Sequence, residues 1–134
     1  MKLKTGILAV AIALLGCAAT PPSEQAIAAV GGYGPPLTID YQAAIKEWFL
    51  TYLKDPLSAQ YHFLSAPSKD VVRTSFNEGQ QVFAGYQVLV DVNAKNSFGG
   101  YTGFESYGFL FRDNRIVNVM KLVSNETGTY WVKA

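Results

Sequence analysis

One stretch in the second half of the chain, from Gln81 to Lys95, alternates strictly between two sets of side chains. Successive side chains of a β-strand point to opposite faces, so this alternation predicts a long, half-buried antiparallel strand. One face carries Val82, Ala84, Tyr86, Val88, Val90, Val92 and Ala94. Gly85 lies on the opposite face and is expected to bend the strand or to form a bulge. Such a strand requires partner strands and a cover for its apolar face.

Shorter segments of apolar and β-branched residues supply the expected partners. They lie at residues 61–64, 71–76, 104–112, 115–123 and 130–132. Asp113 and Asn114 separate two of these segments, and this pair suits the tight type I′ turn of a hairpin. The pattern therefore predicts a meander of antiparallel strands.

A helix is expected over residues 38–54, because Tyr41, Ile45, Trp48 and Tyr52 recur at helical spacing. Thr38 is expected to cap its first turn. Asp55-Pro56 is expected to end this helix and to begin a short helical turn that residues 57–60 complete.

These elements define an α+β fold, in which one N-terminal amphipathic helix packs on an antiparallel sheet of about four to five strands. Residues 38–134 are expected to form a single globular domain, and residues 17–37 a flexible tether. The tether is inferred from two Pro-Pro pairs that flank the segment and from Gly31-Gly32-Tyr33-Gly34 within it.

The N-terminus has the form of a secretory signal, with Lys2 and Lys4 before an apolar run at residues 6–15. That run is too short to cross a bilayer as a helix. Leu14-Leu15-Gly16-Cys17 resembles the bacterial lipobox. The resemblance implies a signal peptide at residues 1–16 and lipid attachment, including palmitate, at Cys17. The alternative is an ordinary secretory signal, cut near residues 17–19, that leaves a soluble protein.

Charge and cysteine content limit the possible covalent links and partners of the chain. Cys17 is the only cysteine, so the chain can form no disulfide within itself. Removal of the signal peptide with Lys2 and Lys4 leaves 9 basic and 10 acidic residues, a net charge near −1. This balance does not suit nucleic acid as a partner. Ala18 follows the cysteine, and in a two-membrane bacterium a residue other than aspartate there favours an outer-membrane lipoprotein facing the periplasm.

The most unusual stretch connects two long predicted strands at residues 93–104. We identify a candidate partner-binding loop in it, formed by Lys95, Asn96, Ser97, Phe98, Gly99, Gly100, Tyr101 and Thr102. Its glycines permit close approach of a partner and its aromatic rings offer contact area. The alternative is a structural connection whose aromatic side chains fold back over the core. The loop lacks the Gly-Lys-Ser/Thr sequence of a phosphate-binding loop.

Three other polar residues, Asp91, Glu105 and His62, are the candidates for acid–base catalysis. Asp91 and Glu105 lie on adjacent predicted strands and are expected to be able to face one another, as paired carboxylates of glycosidases do. His62, the only histidine, suits acid–base chemistry near neutral pH. An enzyme acting on envelope polymer through these three residues is therefore an alternative function. No catalytic, metal or cofactor site is assigned, since one histidine without a free cysteine does not make an ordinary zinc site.

Two motifs, Asp55-Pro56-Leu57-Ser58-Ala59 and the run from Asn93 to Gly103, resemble a pattern of small, largely uncharacterised bacterial envelope lipoproteins. The resemblance covers residues 45–123 and implies a small single-domain envelope protein without catalytic residues. The leading hypothesis is a membrane-anchored lipoprotein, non-enzymatic, that binds a protein or peptidoglycan partner. An inhibitor or immunity-type lipoprotein is a further alternative.

Overall fold

The computed structural model describes residues 22–74 and 79–134. The helices in these segments are α1, Glu24–Ala29, and α2, Tyr41–Tyr52. The strands are β1, Asp55–Phe63; β2, Ser68–Arg73; β3, Val82–Lys95; β4, Glu105–Arg112; β5, Arg115–Asn125; and β6, Gly128–Lys133. The fold is thus α+β, as predicted, although α1 precedes the predicted helix.

All strands join one antiparallel sheet in the order β1-β3-β4-β5-β6, with β2 also paired to β3. The sheet has six strands, so the expectation of four to five was too low. The 14 residues of β3 explain the difference, because they are enough to pair with two successive strands along one edge. β2 pairs with residues 82–87, and β1 pairs with residues 90–95.

Two local predictions before β2 were wrong. Residues 55–60 form no helical turn, because β1 already begins at Asp55 and pairs with the end of β3. Thr38 does not cap α2; its backbone N–H instead donates to Asn114 Oδ1 at 2.9 Å. Asp40 is the cap, and its Oδ1 accepts from Ala43 N at 3.0 Å.

The turn between β4 and β5 is the type I′ turn that Asp113 and Asn114 predict. Asp113 has a φ of 50° and Asn114 a φ of 59°. Positive φ at both central positions is what a type I′ turn requires, and Asp and Asn tolerate it better than most residues.

The core lies between α2 and one face of the sheet. Ile45 and Phe49 are fully buried on the helix and belong to one cluster with side chains of β3, β4 and β5. The cluster's buried sheet residues are Val88, Val90, Val92, Tyr107, Phe109, Phe111 and Val119. Val88, Val90 and Val92 of β3 are therefore buried because α2 packs on this face of the sheet.

The other face of the sheet is also partly covered, because the sheet curls until its two edges approach each other. Trp131 on β6 and Asp70 on β2 line a common pocket of about 260 Å³, although these strands lie at opposite edges. Gly85 is needed for this shape, since a Cβ there would lie 2.1 Å from the backbone oxygen of Phe111. The backbones of β3 and β4 thus lie very close together at Gly85.

The segment before α2 lies against the sheet. Arg112 follows the core residue Phe111 in β4, and adjacent side chains of a strand point to opposite faces. The Arg112 side chain therefore points to the face of the sheet away from α2. There it donates to the backbone oxygens of Val30 and Gly31, just after α1. This part of the segment expected to be a flexible tether is therefore hydrogen-bonded to the β4–β5 end of the sheet.

Candidate partner-binding surface

The hairpin that joins β3 to β4 is organised by one side chain, Asn96. Its Oδ1 accepts from the backbone N–H of Phe98 at 2.9 Å and of Gly100 at 3.2 Å. Its backbone N–H donates to the oxygen of Gly100 at 2.8 Å. Gly99 takes a φ of 80°, which glycine adopts without strain. The tip is therefore a closed turn with a defined backbone.

A second residue, Ser58 of β1, fixes this hairpin to the rest of the sheet. Ser58 Oγ accepts from Lys95 N at 2.9 Å and donates to the backbone oxygen of Asp55 at 2.8 Å. The backbone oxygen of Ser58 accepts from the Tyr101 hydroxyl at 3.0 Å. The two sequence motifs that lie some 40 residues apart in the chain thus meet at one end of the sheet.

Apolar side chains project from this end, and we call Leu57, Phe98 and Tyr101 the loop-end surface. Phe98 is 97% exposed, Leu57 is 92% exposed and Tyr101 is 46% exposed. Phe98 does not fold back over the core, although its backbone is fixed by Asn96. Covering a side chain of this size yields about 1.5–3 kcal/mol, so the surface offers binding free energy to a partner.

The remaining residues of the candidate loop lie round this surface. Asn96, Ser97, Gly99, Gly100 and Thr102 are exposed. The Lys95 ammonium lies 5.5 Å from the centre of the Tyr101 ring, a cation–π distance. The structure therefore brings all eight predicted residues to one hairpin.

A small groove of about 180 Å³ adjoins the hairpin on the side of α2, and both Lys95 and Thr102 line it. Glu105 lies in this groove, where it accepts from Lys121 Nζ at 2.8 Å and from the Tyr107 hydroxyl at 3.0 Å. The pKa of Tyr107 is raised well above its usual value, mainly because the hydroxyl is buried and to a smaller extent because Glu105 is negatively charged. Tyr107 therefore remains a hydrogen-bond donor, and Glu105 is bound in a fixed network.

The predicted pairing of Asp91 with Glu105 was wrong. Glu105 lies opposite Val92 in the β3–β4 register, whereas Asp91 lies opposite Ser106, whose hydroxyl donates to Asp91 Oδ1 at 2.6 Å. Adjacent positions of a strand face opposite sides, so the two carboxylates lie on opposite faces of the sheet. His62 lies opposite Asp91, and its ring stacks on Phe104 with the centroids 4.4 Å apart.

Sequence reasoning missed the place of Leu57 in the loop-end surface and the hydrogen bonds of Ser58 to the hairpin, because it assigned both residues to a helical turn. Within residues 22–74 and 79–134, no cluster of three His, Cys, Asp or Glu residues is placed to hold a metal ion. Neither helix in these ranges is long and apolar enough to cross a membrane. Cys17 and the lipobox lie outside the described residues.

Comparison with known proteins adds no relative to this picture. No protein-family model matches the chain, and neither a curated protein nor a solved structure does.

Proposed function

We propose that this protein is a membrane-anchored envelope lipoprotein, held by lipid on Cys17, whose domain binds a protein or cell-wall partner through the loop-end surface. The observation that carries the proposal is Phe98, 97% exposed at the tip of a hairpin with a fixed backbone. A few residues supply most of the binding free energy of an interface, and aromatic residues such as Phe are enriched at interface cores.

The fixed backbone favours binding over a mere connecting role. Asn96 and Ser58 hold the hairpin through the hydrogen bonds described above. A loop that is already ordered loses little conformational entropy when a partner covers it, so more of the contact free energy appears as affinity. Lys95 and Glu105, next to the apolar residues, supply the polar rim that interfaces of this kind have.

The docked segment before α2 is the described part of the chain that leads back toward the proposed anchor. Only five peptide steps separate Cys17 from Pro22, where the described chain begins, and they span at most about 18 Å. The chain after α1 is bound at Arg112, the end of β4 opposite to the loop. The chain that leads back toward the proposed anchor is thus held, at Val30 and Gly31, at the end of β4 opposite to the loop-end surface.

Photo-crosslinking in intact cells tests the binding surface. A photoreactive amino acid replaces Phe98 in one strain and Leu64 in another. Leu64 is a matched control, because it is 57% exposed and follows the opposite end of β1. We expect a discrete crosslinked product from position 98 that is absent from position 64. Equal patterns from both positions would contradict the assignment of the surface.

Metabolic labelling with a fatty-acid analogue tests the anchor. Label is expected on the wild-type chain and is expected to be lost in Cys17→Ser. Label that persists in this variant would contradict lipid attachment at Cys17, while leaving the loop-end surface to be judged by crosslinking alone.

A further inference from the structure

The outer edge of β6, the edge that faces away from β5, is open to solvent. Among the described residues β6 pairs with β5 alone, so no strand lies along its other edge. Thr129, Tyr130, Trp131 and Lys133 of this strand are exposed. The edge of a sheet presents unpaired backbone N–H and C=O groups, which are a template for pairing with another chain.

The pairing of β6 with β5 decides which of its backbone groups face outward. The Ala134 N–H donates to the Val119 oxygen at 3.0 Å, so this pair is hydrogen-bonded. Hydrogen-bonded and non-bonded pairs alternate in an antiparallel ladder, and the register continues without a shift to the turn of the hairpin. Thr129, Trp131 and Lys133 lie at the non-bonded positions, so their N–H and C=O groups point away from β5.

The other open edges of the sheet carry features that oppose pairing with another chain. β1 contains Pro56 and a register shift against β3. β2 has charged side chains at half of its positions. The part of β5 that β6 does not cover begins at Arg115 and has a register shift against β4. Proline, charge and bulges are the means by which natural sheets protect an edge, whereas residues 129–132 of β6 are regular, uncharged and free of proline.

The large side chain of Trp131 does not lie over this edge. A Cβ on Gly108 would lie 3.6 Å from Trp131 Cζ3, and Gly108 belongs to β4, two strands inward from β6. The indole therefore extends inward across the face of the sheet, which is how it reaches the pocket that it shares with Asp70 of β2. An added strand can thus approach the backbone of β6 without displacing the indole.

We propose that the outer edge of β6 pairs antiparallel with the same edge of a second copy of this chain, about a two-fold axis at Trp131. In this register the two Trp131 residues bond each other, and Thr129 of each copy bonds Lys133 of the other. Every outward-facing residue of both edges is then paired. Tyr130 lies opposite Val132, an aromatic–β-branched pair of the kind that stabilises sheets, and no like charges are opposed.

A second copy suits this edge better than an unrelated strand does. Every copy carries the same open edge, so one contact covers both edges, as the self-complementary interfaces of two-fold dimers do. An unrelated strand would have to bring an unprotected edge of its own. The inference is independent of the loop-end surface and of the anchor. The dimer carries two loop-end surfaces, so a partner with two matching sites would be held more tightly than by one.

Sedimentation equilibrium of the full chain in density-matched detergent tests the proposal. The wild-type chain is expected to have the mass of a dimer. Thr129→Pro removes an outward-facing N–H that β5 does not use, so it is expected to weaken the dimer roughly tenfold or more while the far-UV circular dichroism stays that of wild type. Thr129→Val keeps this N–H, and Phe98→Ala leaves β6 intact, so both are expected to remain dimeric. A monomeric wild-type chain, or an undiminished dimer in Thr129→Pro, would overturn the proposal.

A cysteine pair tests the register in membranes treated with a mild thiol oxidant. The double variant Thr129→Cys, Lys133→Cys is expected to form a disulfide-linked dimer, because opposed hydrogen-bonded positions have Cα atoms about 5.5 Å apart, within disulfide range. Each single variant is a control, since its two cysteines would lie four positions apart along the strands, about 13 Å. The wild-type chain, whose only cysteine is Cys17, gives the background. No dimer from the double variant, as much dimer from the single variants, or a link to a different protein instead would overturn the proposed pairing.

Discussion

At the loop end of the sheet, the polar groups that shape the hairpin are paired, while Phe98 and Leu57 are left almost fully exposed. At Asn118 on β5 the situation is reversed, because this polar side chain is only 8% exposed and its Oδ1 is buried without a hydrogen-bond partner among the described residues. One region exposes apolar surface, and the other buries an unsatisfied acceptor.

Neither the exposed Phe98 and Leu57 nor the buried Asn118 oxygen stabilises the fold. Exposing an apolar side chain costs the folded state little, since it is exposed in the unfolded chain as well. Burying an unpaired carbonyl oxygen costs about 1–3 kcal/mol. Neither feature improves folding, and for Phe98 this agrees with the proposal that the loop-end surface binds a partner. Substitutions at both places test this contrast.

The largest effect is expected from Gly85→Ala, which disturbs the close packing of β3 against β4. The new Cβ would lie 2.1 Å from the backbone oxygen of Phe111, and a backbone atom can retreat only if β3 or β4 moves. We expect the free energy of unfolding, measured by urea denaturation, to fall by about 3 kcal/mol. Gly100→Ala, at the loop end, meets no atom closer than 3.9 Å and is the control. A similar loss in both variants would show that Gly85 has no special role.

The second prediction is a gain of stability, in the variant Asn118→Leu. Asn118→Leu removes the buried oxygen that has no partner and keeps a side chain of similar volume, so the free energy of unfolding is expected to rise by about 1–2 kcal/mol. Urea denaturation measures this gain. Asn118→Asp, which buries a charge at the same place, is expected to be less stable than wild type. A loss of stability in Asn118→Leu would mean that the amide is satisfied and would remove the contrast with the loop end.

At the loop end, by contrast, removal of a polar side chain is expected to destabilise the fold. Asn96→Ala deletes the acceptor of two backbone hydrogen bonds in the hairpin. We expect a loss of about 1 kcal/mol, together with faster hydrogen exchange at the amides of Phe98 and Gly100. Asn96→Asp keeps the acceptor and is expected to stay close to wild type. Unchanged exchange in the alanine variant would show that the hairpin does not depend on this side chain.

The features that sequence predicted correctly are those encoded locally. The alternation from Gln81 to Lys95 needs only the period of a strand, and the Asp113-Asn114 turn needs only residues that tolerate positive φ. The loop at residues 95–102 could be located for the same reason, because it follows directly from the strands that flank it.

The features that were missed depend on distant residues. Asp55-Pro56 favours the start of a helix locally, but pairing with Lys95 and the Ser58 hydrogen bonds place this segment in the sheet. Asn118 sits in an ordinary strand pattern, and its burial arises only when the β2–β3 hairpin approaches β5. α1 is held by Arg112, more than 80 residues later.

The smallest effect on stability is expected at the residue with the largest expected effect on binding. Phe98 is 97% exposed, so Phe98→Ala removes almost no contact of the folded chain and is expected to change the free energy of unfolding by less than about 0.5 kcal/mol. Phe49→Ala is the contrast, because the same truncation in the core is expected to cost about 3–5 kcal/mol. Urea denaturation of both variants measures the difference. A loss of 2 kcal/mol or more, roughly, in Phe98→Ala would mean that the ring packs on the domain, and the loop-end surface would then be a structural element of the hairpin.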